Sequence, residues 1–314
     1  MTQATLSVQG LRKSFGDLHA VDDLSFEVAP GETFGLLGPN GAGKTTTISM
    51  ICGLLDADAG EVSVEGTPIR TGSIKGRELI GYVPQEIALY PELSGRDNLV
   101  FFARLYGLRG AEAKARIDET LEVVGLTDRA DDRTKDYSGG MQRRLNIAAG
   151  MLHQPRLLIL DEPTVGIDPQ SRNAILEAVA ALGESGMSVL YTTHYMEEAE
   201  RLCRRVGIVD HGRLLALGTR RELVALVEEH DRITVKVTGQ AASAADALRT
   251  LPDVLQATAP DDQTVECMVA TASALLPRLV TELDRAGVGI VDLRVAEPSL
   301  DSVFLHITGT ALRD

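Results

Sequence analysis

Thr33-Phe34-Gly35-Leu36-Leu37 is a short apolar strand that runs directly into Gly38-Pro39-Asn40-Gly41-Ala42-Gly43-Lys44-Thr45-Thr46, and the chain then continues to Ile51 as a helix. The turn fills the G-x-x-x-x-G-K-[ST] pattern at every fixed position, in the strand, loop and helix context that gives the pattern its meaning. It commits the chain to an α/β core and its ligand to a nucleoside triphosphate. Glycines let successive backbone N–H groups turn inward around phosphates, the helix N-terminus adds its positive end, and Lys44 supplies a point charge. Thr45 offers a hydroxyl to Mg²⁺.

A second cradle, Tyr137-Ser138-Gly139-Gly140-Met141-Gln142-Arg143-Arg144, stands ahead of a helical run through Leu145, Ile147 and Ala148. It resembles the signature loop of ATP-binding cassette (ABC) ATPases, with Ser138 and the N–H groups of Gly139 and Gly140 as its anion-facing part. Order and spacing give it weight. The apolar strand Leu157-Leu158-Ile159-Leu160 follows and ends in Asp161-Glu162-Pro163-Thr164, where the family has its Walker B strand. The strand delivers Asp161 toward the phosphate loop, to hold Mg²⁺ mostly through water, while Glu162 points to an attacking water as general base.

Three weaker positions occur in the family's order. Gln85, in Tyr82-Val83-Pro84-Gln85-Glu86, matches the Q-loop glutamine, which contacts Mg²⁺ and couples to the membrane partner. His194, in Tyr191-Thr192-Thr193-His194, matches the switch histidine at the γ-phosphate. Val165-Gly166-Ile167-Asp168-Pro169 resembles the D-loop, with Ile167 where Leu is usual. Alone, each is more often a surface glutamine, a solvated histidine or a plain turn. Phe15 stands ahead of the phosphate loop, where the family places an aromatic that stacks on adenine; Phe keeps the π face of the commoner Tyr. Met141 replaces the usual Gln of the signature. With Glu162-Pro163-Thr164-Val165-Gly166-Ile167-Asp168-Pro169 and the late Glu297-Pro298-Ser299-Leu300-Asp301-Ser302-Val303-Phe304-Leu305, it points to the daunorubicin-resistance type of ABC-2 exporter ATPase.

That resemblance implies a P-loop ABC ATPase domain with a mixed sheet core, an antiparallel β subdomain and an α-helical subdomain. It implies a homodimer or heterodimer sandwiching two ATP molecules with Mg²⁺. Lys44, Thr45, Gln85, Asp161, Glu162 and His194 would come from one protomer, and Ser138, Gly139, Gly140 and Asp168 from the other. Catalysis falls to Glu162, His194 and Lys44, and the metal to Thr45, Gln85 and Asp161. A separate integral membrane ABC-2-type permease would carry the drug-like or other hydrophobic cargo, placing this subunit at the cytoplasmic face of the cell membrane. An ATPase for lipid or polysaccharide export is the neighbouring alternative. A soluble ABC ATPase of chromosomes would need a long heptad insert between the two cradles, for which there is no room, and one of translation would usually carry two cassettes. A non-catalytic regulator would be expected to have lost Glu162 or Lys44.

Composition agrees. The net charge of −14 leaves no basic footprint for nucleic acid. No run of 18 apolar residues occurs, and Met1 to Leu6 lacks the charged and apolar regions of a secretory signal. Cys52, Cys203 and Cys267 have no ligand spacing and read as small apolar residues.

Leu6-Ser7-Val8, Leu24 to Val28 and Glu61 to Gly66 read as strands, the last at an edge. From Pro91 to Asp136 the period turns helical, with Leu99, Phe102, Ala103 and Tyr106 on one face; Phe101 and Phe102 suit either subdomain core or a docking surface. A helix over 223–227 and the charged linker Glu228-Glu229-His230-Asp231 end the nucleotide domain, giving domains 1–229 and 230–314. The second reads β-α-β-β-α-β, the split βαβ order of a ferredoxin-like, regulatory or dimer-supporting α+β domain, closed by a helix over 300–307. Phe15→Ala should weaken ATP and GTP alike, by about 0.5–1.5 kcal/mol; unchanged affinities in a titration would make Phe15 a turn residue only.

Overall fold

The computed structural model describes residues 3–227, 230–296 and 298–309. The chain divides into two compact units: the described residues up to Arg220, with those from Ile307 onward, and Arg221–His306. The linker position at 228–229 lies outside the described residues.

The first unit opens with β1 (Leu6–Phe15) and β2 (Leu18–Val28), an antiparallel pair whose inward residues Leu6, Val8, Leu11, Leu24, Phe26 and Val28 are buried. Then come β3 (Thr33–Leu37) and α1 (Lys44–Ile51), followed by β4 (Ala59–Val64) and β5 (Thr67–Pro68). The antiparallel sheet has the order β2-β1-β4-β5. The strand over 61–66, expected at an edge, is therefore interior, because the two-residue β5 adds itself outside it.

After α2 (Ile74–Arg77) and β6 (Ile80–Val83) the helical part begins with α3 (Gly95–Leu105), α4 (Gly110–Val123) and α5 (Gly139–Met151). Ser94 caps α3 by accepting from the Asp97 N–H at 3.0 Å, which explains why the helix starts there. Leu99 and Ala103 are buried as the period requires, while Tyr106, at the end of α3, is partly exposed and stacks on His153 at 4.0 Å. Phe102 packs against the core, and Phe101 sits edge-on to Tyr90.

The unit is completed by β7 (Leu157–Asp161), α6 (Pro169–Glu184), β8 (Ser188–Thr193), α7 (Met196–Leu202), β9 (Arg205–Asp210) and β10 (Arg213–Gly218), and α8 (Arg220–Val224) starts at its last residue and continues into the second. The main sheet has the order β10-β9-β3-β8-β7-β6, parallel except for β10. β3, β7 and β8 are buried at every residue, as strands covered on both faces must be. The helix expected at 223–227 forms earlier, at Arg220–Val224. No described helix is long and apolar enough to cross a membrane.

The second unit runs β11 (Asp231–Val237), α9 (Ala241–Leu248), β12 (Val254–Thr258), β13 (Thr264–Val269), α10 (Ala272–Arg285), β14 (Ile290–Ala296) and α11 (Leu300–Thr308). The order β12-β13-β11-β14, antiparallel throughout, is the ferredoxin-like arrangement that the element order implies. Ile233, Val235 and Val237 meet Leu275, Leu279 and Leu283, which recur every four residues along α10. Leu279→Ala should cost this unit about 2–5 kcal/mol of unfolding free energy. A lowered urea midpoint is expected; an unchanged one would mean that α10 does not close the core.

Candidate functional site

Parallel pairing places the ends of four strands side by side. Leu37 lies opposite Thr193, and Asp161 opposite Thr192. Gly38, Glu162 and His194, each the next residue along, thus leave the sheet at one edge, and β6 adds Pro84-Gln85 beside β7.

The phosphate loop is shaped by close backbone approach. A Cβ on Gly38 would stand 2.2 Å from the Val209 carbonyl oxygen, and Gly43 has φ 99° with the Ala20 oxygen 2.4 Å from where its Cβ would be. The N-terminus of α1 has no side-chain cap, so its N–H groups face the loop. Lys44 is buried, and its Nζ donates to the Gly38 oxygen at 2.7 Å and the Pro39 oxygen at 3.1 Å, and lies 3.0 Å from Glu162 Oε1.

Glu162 is the centre of the site. Its other oxygen, Oε2, is 3.2 Å from His194 Nδ1, so a single buried carboxylate joins Lys44 to His194. Its φ of 45° is left-handed, a conformation a non-glycine residue keeps only when its surroundings over-determine it. The Glu162 N–H supplies part of that restraint by donating to Thr192 Oγ1 at 3.0 Å. The Thr192 hydroxyl in turn donates to Asp161 Oδ1 at 2.8 Å. Burial pushes the Asp161 carboxyl above the usual carboxylate range.

Among the described residues no three His, Cys, Asp or Glu side chains gather as a cation cage. The available set is the Thr45 hydroxyl, the Gln85 amide and Asp161, all hard oxygen donors of the kind Mg²⁺ uses together with substrate phosphates. A buried carboxyl whose ionised form is penalised by desolvation suits a divalent cation beside it. Gln85 itself is exposed, as is Phe15 at the tip of the β1–β2 hairpin.

Ser138 caps α5, accepting from the Met141 N–H at 3.2 Å, and Asp168 caps α6 through the Ser171 N–H at 3.0 Å. That bond holds the Asp168 carboxyl below its ordinary range. Gly140 is pressed on α6 so closely that a Cβ would meet Ser171 Cβ at 2.2 Å.

Two buried charged residues beside the site escaped sequence reasoning. Arg143, buried on α5, donates to the backbone oxygens of Pro84, at 2.9 Å, and of Gln85, fastening the segment after β6 to the signature helix. Glu198 on α7 is buried and accepts from Thr164 Oγ1 at 2.7 Å, Tyr191 OH at 2.9 Å and Thr193 Oγ1 at 3.0 Å, with Arg172 Nε at 3.6 Å. It ties the residues flanking Glu162 and His194 to α6. A charged run such as Glu197-Glu198 reads as a solvated face, and only its position four residues after His194 hinted otherwise.

The protein family described as ABC transporter matches residues 21–165. Across 98% of this chain and 100% of the relative, the sequence is 46% identical to the linearmycin resistance ATP-binding protein LnrL of Bacillus subtilis. It is 40% identical to the daunorubicin resistance ATP-binding protein DrrA3 of Streptomyces coeruleorubidus, covering 98% and 97% of the two chains. The Nod factor export ATP-binding protein I of Paraburkholderia xenovorans is 39% identical over the whole of both. Among solved structures, the ATP binding subunit of an ABC transporter superposes with a TM-score of 0.63 at 33% identity, over 71% of this chain and 92% of that one. Glu198→Ala should strand three buried hydroxyls, lowering stability by about 3–5 kcal/mol. It should lower kcat more than ATP affinity; a variant with wild-type melting and turnover would reduce Glu198 to a bystander.

Proposed function

This chain belongs to the family of ABC transporter ATP-binding subunits, and on that premise we propose that it hydrolyses ATP at Glu162 to power export of a hydrophobic, drug-like compound through a separate ABC-2-type membrane permease. The observation that carries the proposal is the Glu162 carboxylate held between Lys44 and His194 at the end of β7. Support for the cargo class comes from full-length likeness to two drug-resistance ATP-binding proteins. The likeness to Nod factor export subunits favours one second reading, an exporter ATPase for a lipid or polysaccharide.

The phosphates of ATP lie against the N–H groups of Gly38 to Thr46, with Phe15 stacked on the base. The γ-phosphate draws Lys44 away from Glu162, exchanging one anionic partner for another. Freed of the ammonium, Glu162 takes the proton of the attacking water, and His194 holds the γ-phosphate while its Glu162 contact keeps the ring oriented. Thr45, Asp161 and Gln85 would hold Mg²⁺, which supplies positive charge against the β- and γ-phosphate oxygens.

In the working dimer, Ser138, Gly139, Gly140 and Asp168 complete the site of the opposite protomer. The γ-phosphate then favours the closed dimer, and its loss lets the dimer reopen. The subunit works at the cytoplasmic face of the membrane, attached through its permease.

Glu162→Gln keeps the shape of the side chain and loses its basicity. The variant should bind Mg-ATP, accumulate as an ATP-bound dimer on gel filtration and turn over at least about a hundredfold more slowly. Wild-type hydrolysis by the purified variant would remove Glu162 from the role of base.

A further inference from the structure

β14 ends one side of the second unit's sheet, with β11 on its inner side and, among the described residues, no strand beyond it. It is exposed along most of its length, Val291 at 65% and Val295 at 39%. An exposed apolar edge offers its free backbone groups to another strand. The charges on this edge name the strand that fits.

Asp292 and Arg294 lie on one face of β14, bonded to each other at 3.0 Å, and they flank Leu293 symmetrically. Two copies of β14 laid antiparallel about a two-fold axis through Leu293 put each Asp292 opposite the other copy's Arg294. Ile290 pairs with Val237 and Asp292 with Lys236, so Val291 is an extra residue at a bulge and the regular alternation runs from Asp292 to Ala296. Because a strand's side chains alternate between faces, a two-fold register can shift only by moving the axis to a neighbouring residue. One such shift sets Arg294 on Arg294 and the other sets Asp292 on Asp292, both repulsive. The triplet Asp292-Leu293-Arg294 is thus complementary in charge to its own copy only in the register centred on Leu293, as a closed two-fold contact demands.

We propose that β14 pairs with β14 of a second copy of this chain, joining two four-stranded sheets into one continuous sheet. The contact needs no nucleotide and so goes beyond the ATP-bridged dimer described above.

Sedimentation of the full chain in EDTA without nucleotide tests it. The wild type should show a concentration-dependent monomer–dimer equilibrium. Asp292→Arg and Arg294→Asp should each weaken the dimer about tenfold or more, since each sets like charges opposite one another twice. A mixture of the two single variants should form heterodimers, and the double variant Asp292→Arg/Arg294→Asp should dimerise like the wild type. An unchanged urea unfolding transition of the second unit in every variant reports that it is folded. A wild type that stays monomeric up to about 100 μM, single variants that dimerise unchanged, or a charge swap that restores nothing would each overturn the proposal. None of these results touches the ATP-trapped dimer of Glu162→Gln, so the two readings fail separately.

Discussion

The parallel hydrogen-bond ladder joining β3, β8 and β7 is what the rest of this molecule depends on. It is made of backbone groups and carries no chemistry of its own, yet its register decides that Gly38, Glu162 and His194 leave the sheet together. In a parallel sheet with loops at the carboxyl ends of its strands, ligands bind where those ends gather. The chain invests its most uniformly apolar segments there. Leu157 to Leu160 and Val189 to Tyr191 are buried on both faces, and this fixes the height of every polar residue that follows.

Against that rigid frame, the polar chemistry is a chain of shared protons and charges in a place of low dielectric. Thr192 serves the Glu162 N–H with its oxygen and Asp161 with its hydrogen; Glu162 serves Lys44 and His194; Glu198 gathers three hydroxyls from behind. Each member is satisfied by another, which is the condition under which buried polar groups rigidify a site rather than loosen it. The left-handed backbone at Glu162 persists because bonds on both sides of it leave no alternative.

Local pattern made much of this readable. The phosphate loop, the strand before Asp161 and the β-α-β-β-α-β order of the second unit follow from glycine spacing and periodicity, and the structure has each of them. The misreadings are equally physical. The strand over 61–66 looked like an edge because a two-residue partner such as Thr67–Pro68 leaves no periodic signal. Tyr106 matched the helical face by spacing, but at the end of α3 it lacks a following turn to cover it and stays partly exposed. Arg143 and Glu198 escaped because a charged residue declares its burial only through partners distant in sequence: the oxygens of Pro84 and Gln85 for the first, Thr164 for the second.

The contact of Gly140 with Ser171 has a consequence for speed. With no room for even a methyl group between α5 and α6, the caps at Ser138 and Asp168 are set relative to each other by the interior of one molecule. A surface that approaches one of them in the right pose finds the other already in place, so the search for alignment happens once and not twice. Less ordering entropy is then lost at the moment of encounter. In the dimer proposed above, the two caps would thus meet the opposite protomer at a spacing set within one molecule.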